Sequence, residues 1–147
     1  MRTNSPPPDR RLIYLLNVAQ RRVQRFVAGR RRGATPAQSG LLFVLGKQDG
    51  LAMGEAGAAL DLGLPGISGL AERMAEAGLI KKRGDPADGR AARLWLTGAG
   101  RKQLARAKTG AADINARLMD GFSDAEIDIV ARWLKAVQTK FPKGDDE

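Results

Sequence analysis

The chain contains no cysteine and no histidine. Those two absences exclude a disulfide scaffold, a thiol redox sensor, zinc-finger chemistry and an imidazole general base. Aromatic residues are scarce at 5%, with a single tyrosine. No apolar run approaches the roughly 20 residues that a bilayer-spanning helix needs, so no membrane partner is expected. The opening segment MRTNSPPPDRR lacks the apolar stretch of a secretory signal, and a cytoplasmic protein is expected. Carboxylates are present, but no Gly-rich phosphate loop and no acid/base pair at a telling spacing accompanies them. An enzyme is therefore not expected, nor is a metal or cofactor.

Acidic residues are also in deficit. The 147 residues carry 25 Lys+Arg against 16 Asp+Glu, a formal net charge of +9. This length suits one domain, or a small domain with appended helices. The positive charge is clustered: residues 1–33 hold nine Arg against one Asp, a net +8. Residues 73–108 hold ten Lys/Arg against Glu76, Asp85 and Asp88, a net +7, whereas residues 109–147 are net −3. Solubility needs no such blocks; a surface that contacts phosphates does.

Along the chain, Pro6 to Pro8 predict a loose arm over residues 1–8. From Asp9, Leu12, Leu15, Leu16, Ala19, Val23, Phe26 and Val27 recur at helical spacing up to Gly29. Thr35-Pro36-Ala37-Gln38 carries the signals of a helix start, a cap, a first-turn proline and a box-closing glutamine. That helix holds Leu41, Leu42, Val44 and Leu45 and ends between Lys47 and Gly50. A short helix over about Glu55 to Leu60, a tight turn at Leu62-Gly63, and a helix from Leu64 to Ala77 follow, with Gly78 as its stop.

Leu79 to Arg83 and Ala91 to Leu96 read as two strands joined by Gly84-Asp85-Pro86-Ala87-Asp88-Gly89. Thr97 caps a long helix from Gly98 to about Met119, which Gly121 stops. Ser123-Asp124-Ala125-Glu126 opens a last helix ending near Phe141. There is no internal repeat and no second domain.

Two short helices, a tight turn and a two-stranded hairpin spell a winged helix-turn-helix. The second helix of such a pair fits a major groove, and a basic hairpin beside it reaches the neighbouring minor groove. The hairpin here holds Arg83 on its first strand, Asp88 and Arg90 at its tip, and Arg93 on its second strand.

Four motifs then resemble the MarR family of transcriptional regulators. They are Thr35-Pro36-Ala37-Gln38, Gly78-Leu79-Ile80, Asp85-Pro86-Ala87-Asp88-Gly89-Arg90 and Leu96-Thr97-Gly98-Ala99-Gly100, in order and at compatible spacing over residues 9–141. The resemblance implies a mainly α fold with a small β-hairpin, a winged helix-turn-helix flanked by N- and C-terminal dimerisation helices. The implied segments are an arm over 1–8, a first dimerisation helix over 9–34 and a DNA-binding lobe over 35–97. Dimerisation helices over 98–141 and a tail over 142–147 complete them. It also implies a cytoplasmic homodimer that binds pseudo-palindromic double-stranded DNA with half-sites about 34 Å apart. Arg90 would enter the minor groove, with Asp88 pairing to it, and Trp133 and Phe141 would sit at the dimer interface. A small aromatic effector is a further implication, with Tyr14, Phe43 and Trp95 as candidate crevice residues.

The recognition helix departs from the family pattern. Gly63, Leu64, Pro65, Gly66 and Gly69 stand where relatives often carry Ser, Thr, Lys or Arg. Pro65, Gly66, Ser68, Gly69 and Arg73 are the groups left to face DNA, so affinity leans on amides, the wing and phosphate contacts. Two other readings stay open: a nonspecific or architectural DNA-binding protein, and a protein-interaction module whose winged helix no longer meets DNA. Repressor and dual regulator are not separated by the sequence.

Overall fold

The computed structural model describes residues 7–30, 33–85 and 88–142, with the side chains of 85 and 88–91 outside that description. The chain forms two compact units, Met1–Thr35 and Pro36–Glu147.

The first unit contains α1 (Leu12–Gly29). The helix begins at Leu12, the first residue of the apolar series, three residues after Asp9. The Asp9 carboxylate accepts from the Arg11 backbone N–H at 3.0 Å and from its guanidinium at 2.9 Å, which holds the chain in a turn. That guanidinium also keeps the Asp9 carboxyl below the usual carboxylate range. None of the residues of α1 is buried, although Leu12, Ile13, Tyr14, Leu15 and Leu16 are all large and apolar.

The second unit runs α2 (Pro36–Lys47), β1 (Leu51–Ala52), α3 (Met53–Ala59), α4 (Leu64–Glu76), β2 (Ile80–Asp85), β3 (Asp88–Leu96), α5 (Gly98–Met119) and α6 (Asp124–Lys140). This is the expected winged helix-turn-helix, with a third strand added. β1 pairs with β3 through Leu51↔Leu94 and Ala52↔Arg93, giving an antiparallel sheet of order β1-β3-β2. Two residues are too short for an alternation pattern, which is why the strand could not be read from sequence.

The core is drawn from every layer of this unit. Leu41, Leu42 and Leu45 of α2 meet Ala56 of α3, then Ile67, Leu70, Ala71 and Met74 of α4. Ile80, Leu94 and Leu96 close it from the sheet, and Leu104 closes it from α5. Each fully buried Leu or Ile contributes about 1.5–3 kcal/mol. Among the described residues no polar side chain is buried, so the core carries no desolvation penalty.

The junctions explain the orientation of α4. Its left-handed entry residue is Asp61, with φ 58, rather than Gly63. Aspartate tolerates that conformation better than most residues, so no glycine is needed. At its exit, Leu79 N–H donates to Met74 O at 2.9 Å and Gly78 N–H to Ala75 O at 3.0 Å, the paired bonds of a Schellman closure. Thr97 then joins three elements. Its hydroxyl donates to Gly78 O at 2.6 Å and accepts from Gly100 N–H at 3.0 Å, while its own N–H donates to Leu79 O at 3.1 Å. The Ser123 capping box is formed as expected, with Ser123 and Glu126 satisfying each other's backbone N–H groups.

Asp49 was not singled out by sequence, yet it ties α2 to the sheet. Its carboxylate accepts from Leu96 N–H at 2.8 Å and from the Arg101 guanidinium at 2.8 Å. The Arg101 contact is largely exposed and adds little; the backbone bond matters more. Asp49→Ala is expected to cost about 1–3 kcal/mol by stranding that N–H. Asp49→Asn, which keeps an acceptor oxygen, should cost clearly less, and urea unfolding of both variants checks the order.

Candidate nucleic-acid interface

Helix α4 forms because Pro65 pre-sets its first turn and four apolar residues recur on one side. Ile67, Leu70, Ala71 and Met74 are buried, which leaves Pro65, Gly69, Glu72 and Glu76 on the opposite side by helical spacing. Leu64, Pro65 and Gly66 are exposed, Ser68 and Gly69 half-buried, and Arg73 exposed. Gly69 gives Arg73 room to lie back along the helix. A guanidinium nitrogen of Arg73 stands 3.3 Å from the point where a Cβ on Gly69 would be. Structure therefore places all five expected recognition-helix residues on one short element, and adds Leu64 beside them.

The wing follows directly and packs against α4. Its register pairs Lys81↔Trp95 and Arg83↔Arg93, while Ile80, Leu94 and Leu96 point into the core. Alternation then sets Lys81, Arg83, Arg93 and Trp95 together on the outward face. Two arginines directly opposite would repel. Arg93 relieves this by donating to Gly50 O at 2.9 Å, so its head is engaged with the body of the lobe. Arg83 is exposed. A recess of about 560 Å³ opens here, lined by Lys81, Arg83, Arg93 and Trp95 over Leu96 and Thr97.

At the wing tip the register slips between Gly84 and Asp85. Gly84 pairs with Ala92, whereas Asp85 pairs with Asp88, so β3 residues 89–91 have no opposite number in β2. Such irregularities re-aim strands at functional edges, and Arg90 stands within this one. The strands run further into the turn formers than composition suggests: the hairpin closes at Asp85 and Asp88 rather than at Gly84 and Gly89. The Asp88 and Arg90 side chains, and with them their expected pairing, lie outside the described residues, as do Pro86 and Ala87.

The three expected crevice residues fall on separate elements. Tyr14 sits on α1, 52% exposed, beneath the Arg11 guanidinium at 4.9 Å. Phe43 is half-buried on α2. Trp95 lines the wing recess, whose lining does not include Phe43. The indole ring lies flat on Gly50, where a φ of +77 and the ring itself both exclude a side chain. Among the described residues no cluster of His, Cys, Asp or Glu could hold a metal ion. No helix among them is long and apolar enough to cross a membrane.

This arrangement is shared with solved regulators. The transcriptional repressor CouR, solved bound to a 23-mer DNA duplex, is 30% identical, with a TM-score of 0.75. The match covers 86% of this chain and 91% of that one. A MarR family profile matches residues 32–91, the stretch from ahead of α2 to the wing. The chain belongs to the MarR family. A probable transcriptional regulator from Pseudomonas aeruginosa is similar to this MarR protein at 28% identity and a TM-score of 0.79, covering 88% of this chain and 98% of that one. The PcaV transcriptional regulator from Streptomyces coelicolor, solved with its natural ligand, shares the fold at a TM-score of 0.85 and 21% identity. That match covers 94% of this MarR chain and all, 100%, of the other. No curated protein matches the chain in sequence.

Beyond the motifs, four features of the MarR lobe escaped the sequence reading: strand β1, Asp49, the exposed Leu64 and the slipped wing register. Only Leu64 left a trace, as an apolar residue where the family pattern is polar.

Proposed function

We propose that this MarR-family protein is a homodimeric, sequence-specific transcriptional regulator that binds pseudo-palindromic duplex DNA and is released by a small aromatic ligand. The observation that carries this reading is a helix, α4, with one side exposed, followed by a wing whose outward face carries Lys81, Arg83 and Arg93. A groove-sized helix flanked by cations is what duplex binding requires. The exposed large apolar residues of α1 and α6 support a second copy as the occupant of those faces. Trp95 among three cations suits an aromatic acid, and CouR and PcaV were solved with DNA and with a ligand respectively.

In this reading α4 enters the major groove, and Pro65, Gly66, Ser68, Gly69 and Arg73 face it. Arg90 reaches the minor groove, with Asp88 directing it and Arg83 and Arg93 behind it. Arg90→Ala is expected to weaken binding to a preferred duplex about 30-fold, or about 2 kcal/mol. The slope of log affinity against log salt should flatten by about one unit of charge. Fluorescence anisotropy across a salt series measures both quantities. The full-length protein should also hold its preferred duplex against excess random duplex. Loss of that site to competitor would instead support an architectural, nonspecific binder.

A further inference from the structure

The reading end of α4 is unusual in carrying almost no polar side chain. Leu64 is 69% exposed, yet it belongs to the best-packed unit of the chain. Pro65 and Gly66 beside it are exposed as well. The polar groups at hand are the half-buried Ser68 and Arg73, whose guanidinium lies back over Gly69. Glu72 and Glu76 occupy the outward side of the later turns and would repel phosphate. The first turns are thus the part of α4 that can approach a duplex closely, and what they present is hydrocarbon.

The major groove offers one apolar group, the C5-methyl of thymine. We propose that Leu64, with Pro65 beside it, reads thymine methyl groups, so that this regulator recognises A·T steps by hydrophobic contact. The occupant follows from charge: the segment from Arg73 to Lys108, which completes α4 and forms the wing and the start of α5, carries a net +7. A polyanion bearing methyl groups fits that combination, and an apolar protein surface does not supply the counter-charge. The glycine positions help, because Gly66 and Gly69 add no side chain that would hold the Leu64 turn off the bases.

This inference rests on the DNA-binding reading above, and the test separates the two. The full-length protein is used to select duplexes from a random-sequence pool, and the enriched duplex is remade with deoxyuridine in place of thymidine. Each contacted methyl that is lost should weaken wild-type binding about fourfold. In Leu64→Ala, which changes an exposed side chain and should fold normally, the same replacement should matter less than about twofold. Equal sensitivity in both proteins, or indifference of the wild type, would overturn the proposal while leaving DNA binding intact. An unchanged affinity of Leu64→Ala for every duplex would also overturn it, since Leu64 would then face something other than bases. Failure of the pool to enrich any sequence would remove the specific-regulator reading and this inference with it.

Discussion

Val130→Arg/Leu134→Arg is expected to turn the protein into a monomer and to lower its affinity for a two-half-site duplex about a thousandfold. Both residues lie one turn apart on α6, 49% and 42% exposed, and no residue of α6 is buried. Removing them therefore takes nothing from the core of the Pro36–Glu147 unit. Two new guanidinium groups would, however, have to be desolvated in any apolar contact between copies. Once separated, each copy meets a half-site alone and loses the high effective concentration of a tethered second lobe. Sedimentation velocity reads the assembly, and anisotropy on whole and half duplexes reads the binding. A variant that stays dimeric would move the interface away from α6, and equal affinity for whole and half duplexes in the wild type would deny a paired mode altogether.

Gly100→Ala carries the largest expected cost to the fold. A Cβ at this position would overlap the carbonyl oxygen of Leu79 and press on Leu96. Backbone cannot swing aside like a flexible side chain, and this carbonyl is held by Thr97 N–H at 3.1 Å. The expected loss is about 3 kcal/mol or more, at the upper end of overpacking effects. Gly98→Ala, two residues earlier in the same helix, is the control, because nothing lies within 4 Å of its would-be Cβ. It should leave stability unchanged or raise it slightly. Urea unfolding should show a fallen midpoint for the first variant only, with slopes preserved.

The same glycine shows how far a sequence can be read. Leu96-Thr97-Gly98-Ala99-Gly100 stood out as a pattern, and the cap it predicts at Thr97 is present. The reason for its final glycine, a helix pressed against a strand-entry carbonyl, is a long-range contact that local spacing does not encode. The helices were legible because apolar periodicity and caps are local signals: α4 ends at its predicted stop and α6 begins at its predicted box. Strand ends were less so, since Asp85 and Asp88 are turn formers by type but pair across the hairpin. Asp49 was invisible for a further reason: one carboxylate among 16 acidic residues has no spacing to betray it. In the candidate interface, the placement of Pro65, Gly66, Ser68, Gly69 and Arg73 on one helix was legible from that helix's start and stop signals. What could not be read was engagement, as with Arg93, whose head is taken up by Gly50.

The threefold grip of Thr97 has a mechanical consequence. One hydroxyl holds the exit of α4 and starts α5, while the adjoining N–H holds the first residues of the wing. Helix α4, the wing and the base of the long α5 shaft therefore share a single fulcrum. In the proposed dimer, tilting that shaft would carry helix and wing together, and the distance between the two lobes would be set far from the surface that would touch a duplex.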